Sequence, residues 1–412
     1  MTRSPTLPLC LMVLVLAAPC LGDTYAVMFQ GGWFPWADFG FFAAQVDFYN
    51  CLRASGIQAD HIYAYEGDGV VDPDNLNCNV MSHCYYGYEY DTDNYYNMLY
   101  DSPVDYDGDG IPDVKGAGTA ANLFSKLSDL ASIMTEHDSL ILQIGDHGGA
   151  DPARFGAWLN DSVYWTDVAD ALNAIPSYNH QLVIVGTCHA AASFEHLATL
   201  GSRRITITAS LADYYSWYRM PTYFWGGPRH LELSEPGGSG FITALVEATT
   251  KADTNANGLI DMHELFLHTY NNDEFGPNGW FDWSVYPPEM GYHHETPCFS
   301  DPDCLWSKVA WGVSELIWGD ANTDGSVDIA DLGQLATHYG TTTGATWQMG
   351  DFNNDHAIDI ADLGVLATNY GTLPASIPIP EPSTIAILAF GGVLLLWRTL
   401  NGSPRQVLHR AS

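Results

Sequence analysis

Short, wholly apolar runs alternate along most of the chain with longer stretches in which apolar residues recur at helical spacing. TYAVMFQGG, residues 24–32, is an apolar run closed by two glycines and reads as a buried strand. FGFFAAQVDFYNCLRASG, residues 39–56, has the helical spacing and ends on a glycine stop. HIYAYEG then reads as a second strand, GTAANLFSKLSDLASIMTEH as an amphipathic helix, and SLILQIGDHGG as another buried strand. TDVADALNAI follows as a helix with Thr166 as its N-cap, then QLVIVGT and RRITITAS as strands. This β-α-β-α order predicts an α/β fold with a mostly parallel sheet covered by helices on both faces. In such sheets the active site lies beyond the carboxyl ends of the strands, where both DHGG (146–149) and GTCH (186–189) fall.

Beyond Trp318 the pattern changes to a repeat: GDANTDGSVDIADLGQLATHYG from Gly319, and GDFNNDHAIDIADLGVLATNYG from Gly350. Each copy is an Asp/Asn string running into a helix with Leu and Ala on one face. The chain thus divides into an export leader (1–22), a main α/β domain (23–311), the repeats (318–371), a Pro-rich linker (372–382) and an apolar, then basic, tail (383–412). The leader has an early Arg3, an apolar core from Leu9 to Ala18, and small residues that place cleavage after Gly22. The tail is apolar from Ile385 to Trp397 and is followed by Arg398, which is the composition of a short membrane segment.

Charge narrows the partners. The 412 residues hold 49 acidic against 14 basic side chains, formally −35, which excludes nucleic acid and anionic membrane surfaces as ligands. The acids come in short Asp/Asn strings, a pattern suited to divalent cations. Calcium loops place oxygens at positions 1, 3, 5, 7, 9 and 12, with a glycine at 6. The first repeat supplies Asp320, Asn322, Asp324, the Ser326 carbonyl, Asp328 and Asp331, with Gly325 at the turn. The second supplies Asp351, Asn353, Asp355, the Ala357 carbonyl, Asp359 and Asp362, but has His356 at the turn. A third loop inside the main domain has Asp253, Asn255, Asn257, the Leu259 carbonyl, Asp261 and Glu264, between two helical stretches. DYDGDGIPDV offers Asp105, Asp107, Asp109 and Asp113, but Gly116 stands at its twelfth position. All four are expected to bind Ca2+ structurally; no organic cofactor is expected.

Export makes the cysteines informative. Cys78 with Cys84, and Cys298 with Cys304, are close enough in sequence to pair, and Cys51 lies in a helical stretch that buries it. Cys188 is then left over. A nucleophilic thiol needs a base, donors for an oxyanion, and a strand-end position. His147, in Gly145-Asp146-His147-Gly148-Gly149, ends one buried strand, and Cys188 ends the next. Neighbouring parallel strands would bring both side chains to one edge, with the Gly148 and Cys188 amides as oxyanion donors. His189 and His196 allow a zinc reading with Cys188 and His147, which adjacent strand-end residues pointing apart disfavour.

From Tyr25 to Lys251 the chain resembles the legumain-like cysteine peptidases, a branch of the caspase-like fold, in CLRASGI, ILQIGDHGG, VIVGTCHAAASF and ITITASLADYYSWY. The resemblance implies His147 as base, Cys188 as acyl-enzyme nucleophile and the Gly148 and Cys188 amides as oxyanion hole. Asp146, Ser210 and Asp213 are the candidate substrate-binding residues. The family's Glu-Ala before the cysteine and Ser-Gly after it are replaced by Gly186-Thr187 and His189-Ala190, and no Arg or Lys stands between Asp23 and Leu52. The family's cleavage preference therefore does not carry over. The paired repeats resemble the dockerin module, which implies a cohesin-like partner. Pro380-Glu381-Pro382 with the tail resembles the PEP-CTERM sorting tag, which implies processing by an exosortase-type enzyme at the cell surface. The expected activity is an exported cysteine endopeptidase. A transpeptidase using the same dyad, and an inactive surface scaffold or adhesion protein, are the alternatives.

Overall fold

The computed structural model describes residues 22–32, 39–67, 69, 80–82, 98–100, 104–158, 161–216, 218–219, 238–279, 294–306, 309–312, 317–353 and 355–372. Residues 1–21 of the leader, 373–382 of the linker, the tail, Cys78 and Cys84 lie outside the described residues.

The centre is a seven-stranded sheet. Its parallel part is built from β1 (Thr24–Gln30), β2 (Ile62–Glu66), β5 (Val114–Gly116), β6 (Ser139–Ile144), β10 (Gln181–Val185) and β11 (Arg204–Thr208), and β14 (Cys298–Ser300) is added antiparallel. Its order is β14-β11-β10-β6-β1-β2-β5. Smaller antiparallel pieces are β3 (Val80–Ser82) with β4 (Met98–Tyr100), β12 (Tyr218–Arg219) with β13 (Gly238–Ser239), and β7 (Gly148–Ala150), β8 (Ala153–Ala157) and β9 (Asp161–Tyr164) in one small sheet.

Strand alternation divides the core. Ala26 and Met28 of β1, Ile141 of β6 and Leu182 and Ile184 of β10 face one side, packed by α1 (Phe39–Ala54), α5 (Gly240–Lys251) and α6 (Met262–Asn272). Val27 and Phe29, Leu140 and Leu142, and Val183 and Val185 face the other. There they meet α2 (Ala120–Ile133), α3 (Trp165–Asn173) and the single turn of α4 (Phe194–Leu197). Each such aliphatic side chain removed from water contributes about 1.5–3 kcal/mol, which is why strands buried on both faces read as continuous apolar runs. The α/β class, the mostly parallel sheet and the two helical layers match the expectation.

Two local expectations fail. Helix α3 is capped two residues earlier than expected, on Tyr164 with no side-chain cap, so Thr166 does not cap it. Trp165 sets that start: it is buried and packs on Phe155 with ring centroids 4.8 Å apart. Cys298 and Cys304 are free thiols, not a disulfide. Cys298 lies in β14 with its S–H on the Thr296 carbonyl at 3.3 Å, and Cys304 is exposed. Cys51 is buried as expected.

The repeats form α7 (Ile329–His338) and α8 (Ile360–Asn369) around a third core of Ala321, Val327, Leu335, Trp347, Phe352 and Leu366. Leu259 and Ala310 of the main domain belong to the same core. The Trp347 N–H donates to the Asn257 carbonyl at 2.8 Å, and the Gln348 amide to that of Gly258 at 3.2 Å. The described residues between 22 and 372 accordingly form one compact unit, with the repeats seated on the 253–264 loop.

Candidate active site

Strand register places the site. Val185 of β10 lies opposite Ile144 of β6, and the Gly186 N–H continues the ladder to the Ile144 carbonyl at 2.8 Å. His147 and Cys188 therefore leave adjacent strand ends at the same level, both half-buried. The His147 ring is met edge-on by Phe41 of α1, with centroids 5.4 Å apart.

Gly148 has a steric reason to be glycine. A Cβ there would lie 2.0 Å from the Cys188 carbonyl oxygen and 2.7 Å from the Thr187 hydroxyl. That closeness packs the Gly148 backbone on the Cys188 turn, and the Gly148 and Cys188 amides both favour the ionised sulfur. Burial nevertheless pushes the thiol up to about 11; the Ser216 backbone counteracts it, the Glu295 charge adds to it, and the two amides again counteract it. At neutral pH the resting sulfur is thus a thiol that needs a base, not a standing thiolate.

The three expected substrate-binding residues have different placements. Asp146 is fully buried and does not face a substrate: its carboxylate accepts the N–H groups of Gly31 and Gly32 at 2.7 Å each and of His147 at 2.6 Å. Burial raises its pKa, opposed by His147 and by those amides. A Cβ on Gly156 would sit 2.8 Å from its Oδ1, so the carboxylate is walled in by β8. Asp146 is the post that ties the end of β1 to the His147 corner. Ser210 is likewise buried and internal. Its Oγ donates to the Thr187 carbonyl at 3.2 Å and accepts the Ala190 N–H at 3.1 Å, stapling the Cys188 turn. Asp213 is exposed on the segment after β11.

His189, the residue that departs from the family pattern, takes a left-handed conformation (φ 55°) and turns away from Cys188. Its N–H donates to the Tyr214 carbonyl at 2.7 Å, its Nδ1 lies 2.8 Å from the Ala212 carbonyl, and its ring meets Tyr215. It anchors the 211–216 segment beside the thiol, which leaves the zinc reading without His189. Ser216 in that segment receives the Cys188 S–H on its carbonyl at 3.7 Å and donates its own hydroxyl to Glu295 at 2.7 Å. Sequence reading missed Phe41, Ser216 and Glu295; the Gly31-Gly32 pair was its one visible signal for the Asp146 post.

The Asp/Asn loops share one bonding pattern. In residues 320–331 the Asp320 carboxylate accepts the N–H of Asp324 at 3.1 Å and of Gly325 at 2.7 Å, and Asp331 accepts those of Ala321 at 2.8 Å and Asp328 at 2.8 Å. Asp351 and Asp362 do the same in the second repeat, and Asp253 and Glu264 in the main-domain loop. Asp328, Asp359 and Asp261 are also helix N-caps in capping boxes with the twelfth-position acid. Burial, together with the neighbouring acids, pushes Asp320 up to about 6 against its amide hydrogen bonds. In the 105–113 loop the closing acid is Asp113, whose carboxylate accepts the Tyr106 N–H at 2.7 Å in the manner of a twelfth-position acid. Oxygens of Asp105, Asp107 and Asp109 there lie within 4.8 Å of one another. Carboxylates gathered on turns of this shape fit a hard cation with oxygen ligands.

Among the described residues no helix is long and apolar enough to cross a membrane. No protein-family model and no curated protein matches the chain. Among solved structures, the chain is similar to the crystal structure of Caspase-1 from Spodoptera frugiperda, at 12% identity over 70% of this chain and 90% of that chain, with a TM-score of 0.38. The class of the fold stands on the sheet order itself: an α/β protein whose mostly parallel sheet lies between two helical layers and presents a cysteine and a histidine at adjacent strand ends.

Proposed function

We propose that the protein is an exported, calcium-binding cysteine endopeptidase of legumain-like type, acting through Cys188 and His147. One observation carries this reading: the two residues end neighbouring parallel strands in register, with Gly148 packed on the Cys188 turn so that the Gly148 and Cys188 amides flank the thiol. A peptide carbonyl carbon attacked by that sulfur would leave its oxygen beside the same two donors, the arrangement that stabilises an acyl-transfer oxyanion.

The chemistry follows in two balanced halves. The Cys188 proton passes to His147 as sulfur bonds to the peptide carbonyl carbon; the C–N bond then breaks and His147 returns the proton to the departing amine. Water next attacks the thioester and His147 takes its proton; the C–S bond breaks as the acid product forms, and His147 returns the proton to the departing sulfur, restoring the thiol. Because the resting thiol is held protonated, His147 acts as a true base and not as half of a preformed ion pair. The Asp/Asn loops bind calcium and stiffen the unit, the repeats attach it to a cohesin-like partner, and the tail is the substrate of an exosortase-type enzyme.

The test is labelling of Cys188 by a peptide acyloxymethyl ketone, with peptide cleavage measured in parallel. Labelling at least about 100-fold faster than in the denatured chain, with cleavage lost in Cys188→Ala and His147→Ala, is expected. Labelling no faster than in the denatured chain, with no cleavage product that depends on Cys188, supports a scaffold instead. An amine acceptor that captures the acyl group in preference to water points to the transpeptidase outcome.

A further inference from the structure

The carbonyl that holds the resting thiol is itself held from behind. Ser216 receives the Cys188 S–H at 3.7 Å on its backbone oxygen and donates its side-chain hydroxyl to Glu295 at 2.7 Å. Glu295 has no exposed surface, and its N–H is fixed on the Phe275 carbonyl at 2.9 Å, just beyond α6. Asp273, also without exposed surface, is hydrogen-bonded to Glu295. Two buried carboxyls in hydrogen-bond contact cannot both be ionised at little cost, so the pair keeps a proton between them. Burial raises Asp273 to about 7, against its hydrogen bonds with the Phe275 N–H and with Glu295, and the Glu274 charge adds to the rise.

The groups around this contact can be named from each side. From the turn after β10 comes Cys188, and from the segment after β11, Ser216. From the end of α6 come Asp273 and Glu274, and next to Glu295 is His294. Glu295 is the charged group that adds to burial in keeping the Cys188 proton in place.

We propose that Glu295 is a positioning residue for acyl transfer at Cys188: it clamps Ser216, whose carbonyl holds the thiol hydrogen at rest and gives it up when the backbone N–H of a bound peptide takes that carbonyl. The inference rests on the peptidase reading of the site. An amide N–H is a stronger donor than an S–H, so an extended peptide lying along the 211–216 segment displaces the thiol, which is then free to pass its proton to His147. The buried carboxylate pair fixes the acceptor, and the Glu295 charge, not the Ser216 contact, disfavours a thiolate until that exchange occurs. The thiol is thereby kept unreactive towards alkylating agents and oxidants while the site is empty.

The test is the pH dependence of iodoacetamide alkylation at Cys188 in the full chain, read by mass spectrometry of the peptide that contains it. The variants are Glu295→Gln, alone and with Asp273→Asn so that the second carboxyl cannot take over the charge, Glu295→Ala, and Ser216→Ala. Removing the charge is expected to lower the alkylation midpoint by about one unit, which makes labelling near neutral pH about tenfold faster. In cleavage assays Glu295→Ala and Ser216→Ala are expected to raise KM more than they lower kcat. Glu295→Gln, which keeps an acceptor for the Ser216 hydroxyl, is expected to recover most of that KM. Should Glu295→Ala fail to fold, Ser216→Ala reports the clamp alone. Alkylation curves for the Glu295→Gln and double variants that superimpose on the wild type overturn the proposal, as does an equal rise in KM for Gln and Ala at 295. A chain that cleaves no peptide defeats the peptidase reading, and the alkylation curves still decide whether Glu295 governs the thiol.

Discussion

Around Cys188 the groups that set the chemistry come from Gly31, Phe41, Asp146, Gly148, Ser216 and Glu295, residues scattered over five separate segments. In residues 320–331 the carboxylates that would meet a cation come from one loop and are held by that loop's own amides. The first site exists only when the whole sheet is assembled; the second needs a single turn and the helix after it. The scattered site should therefore be brittle to changes in backbone approach. The loops should tolerate them in small, graded steps, since the ninth- and twelfth-position acids there have a second reason to exist as the two members of a capping box.

The strongest way to break that contrast is Gly148→Ala. One methyl group would have to occupy space 2.0 Å from the Cys188 carbonyl oxygen, so the β6–β7 corner must move away from β10. Moving an oxyanion donor by an ångström costs roughly 100-fold or more in kcat/KM. The measurement is peptide cleavage by Gly148→Ala, with thermal unfolding as control. Activity within about threefold of wild type would mean that the close approach of these two turns is not used.

Asp146→Asn comes next and is read as stability. The carboxylate accepts three backbone N–H groups in a space closed by Gly156. An amide of the same shape turns one acceptor into a donor facing donors, which costs about 2–4 kcal/mol when buried. Urea unfolding measures it. A loss below about 0.5 kcal/mol would show that Asp146 does not tie β1 to the His147 corner.

These two positions also mark how far the sequence can be read. The strands and helices of the sheet were legible because burial on both faces leaves a continuous apolar run, and because Gly stops and cap residues punctuate it. His147, Gly148 and Cys188 were legible because strand-end position and a His-Gly pair are local signals. Asp146 was misplaced: from sequence, a carboxylate beside the base looks like a substrate contact, and only the fold brings Gly31, Gly32 and Gly156 around it. Ser216 and Glu295 carried no signal at all, since their contact spans 79 residues. The pairing of Cys298 with Cys304 failed for a related reason. Sequence proximity gives no geometry, and β14 commits Cys298 to a strand while Cys304 sits in a turn. Cys188 as the thiol left after pairing thus loses its arithmetic support and keeps its geometric one.

The smallest expected effect sharpens the contrast from the loop side. Position six of each loop needs a left-handed backbone: Gly258, Gly325 and Gly110 have φ of 82°, 84° and 88°, and His356 takes φ 64° at the same place. The bond that requires it is retained, since the His356 N–H reaches Asp351 at 2.9 Å as the Gly325 N–H reaches Asp320 at 2.7 Å. Histidine therefore accepts the turn at a conformational cost of about 1–2 kcal/mol, part of which glycine returns through its freer unfolded chain. His356→Gly is expected to stabilise the unit by about 0.5–1 kcal/mol, and to bring the calcium affinity of the second loop up to that of the first. Urea unfolding with and without a chelator, and calorimetric calcium titration of the full chain, measure the two effects. If His356→Gly is no more stable than wild type in either condition, the left-handed strain is not stored at 356. The loops would then share with the sheet edge the property that sets that edge apart, a geometry maintained by parts of the fold outside the loop.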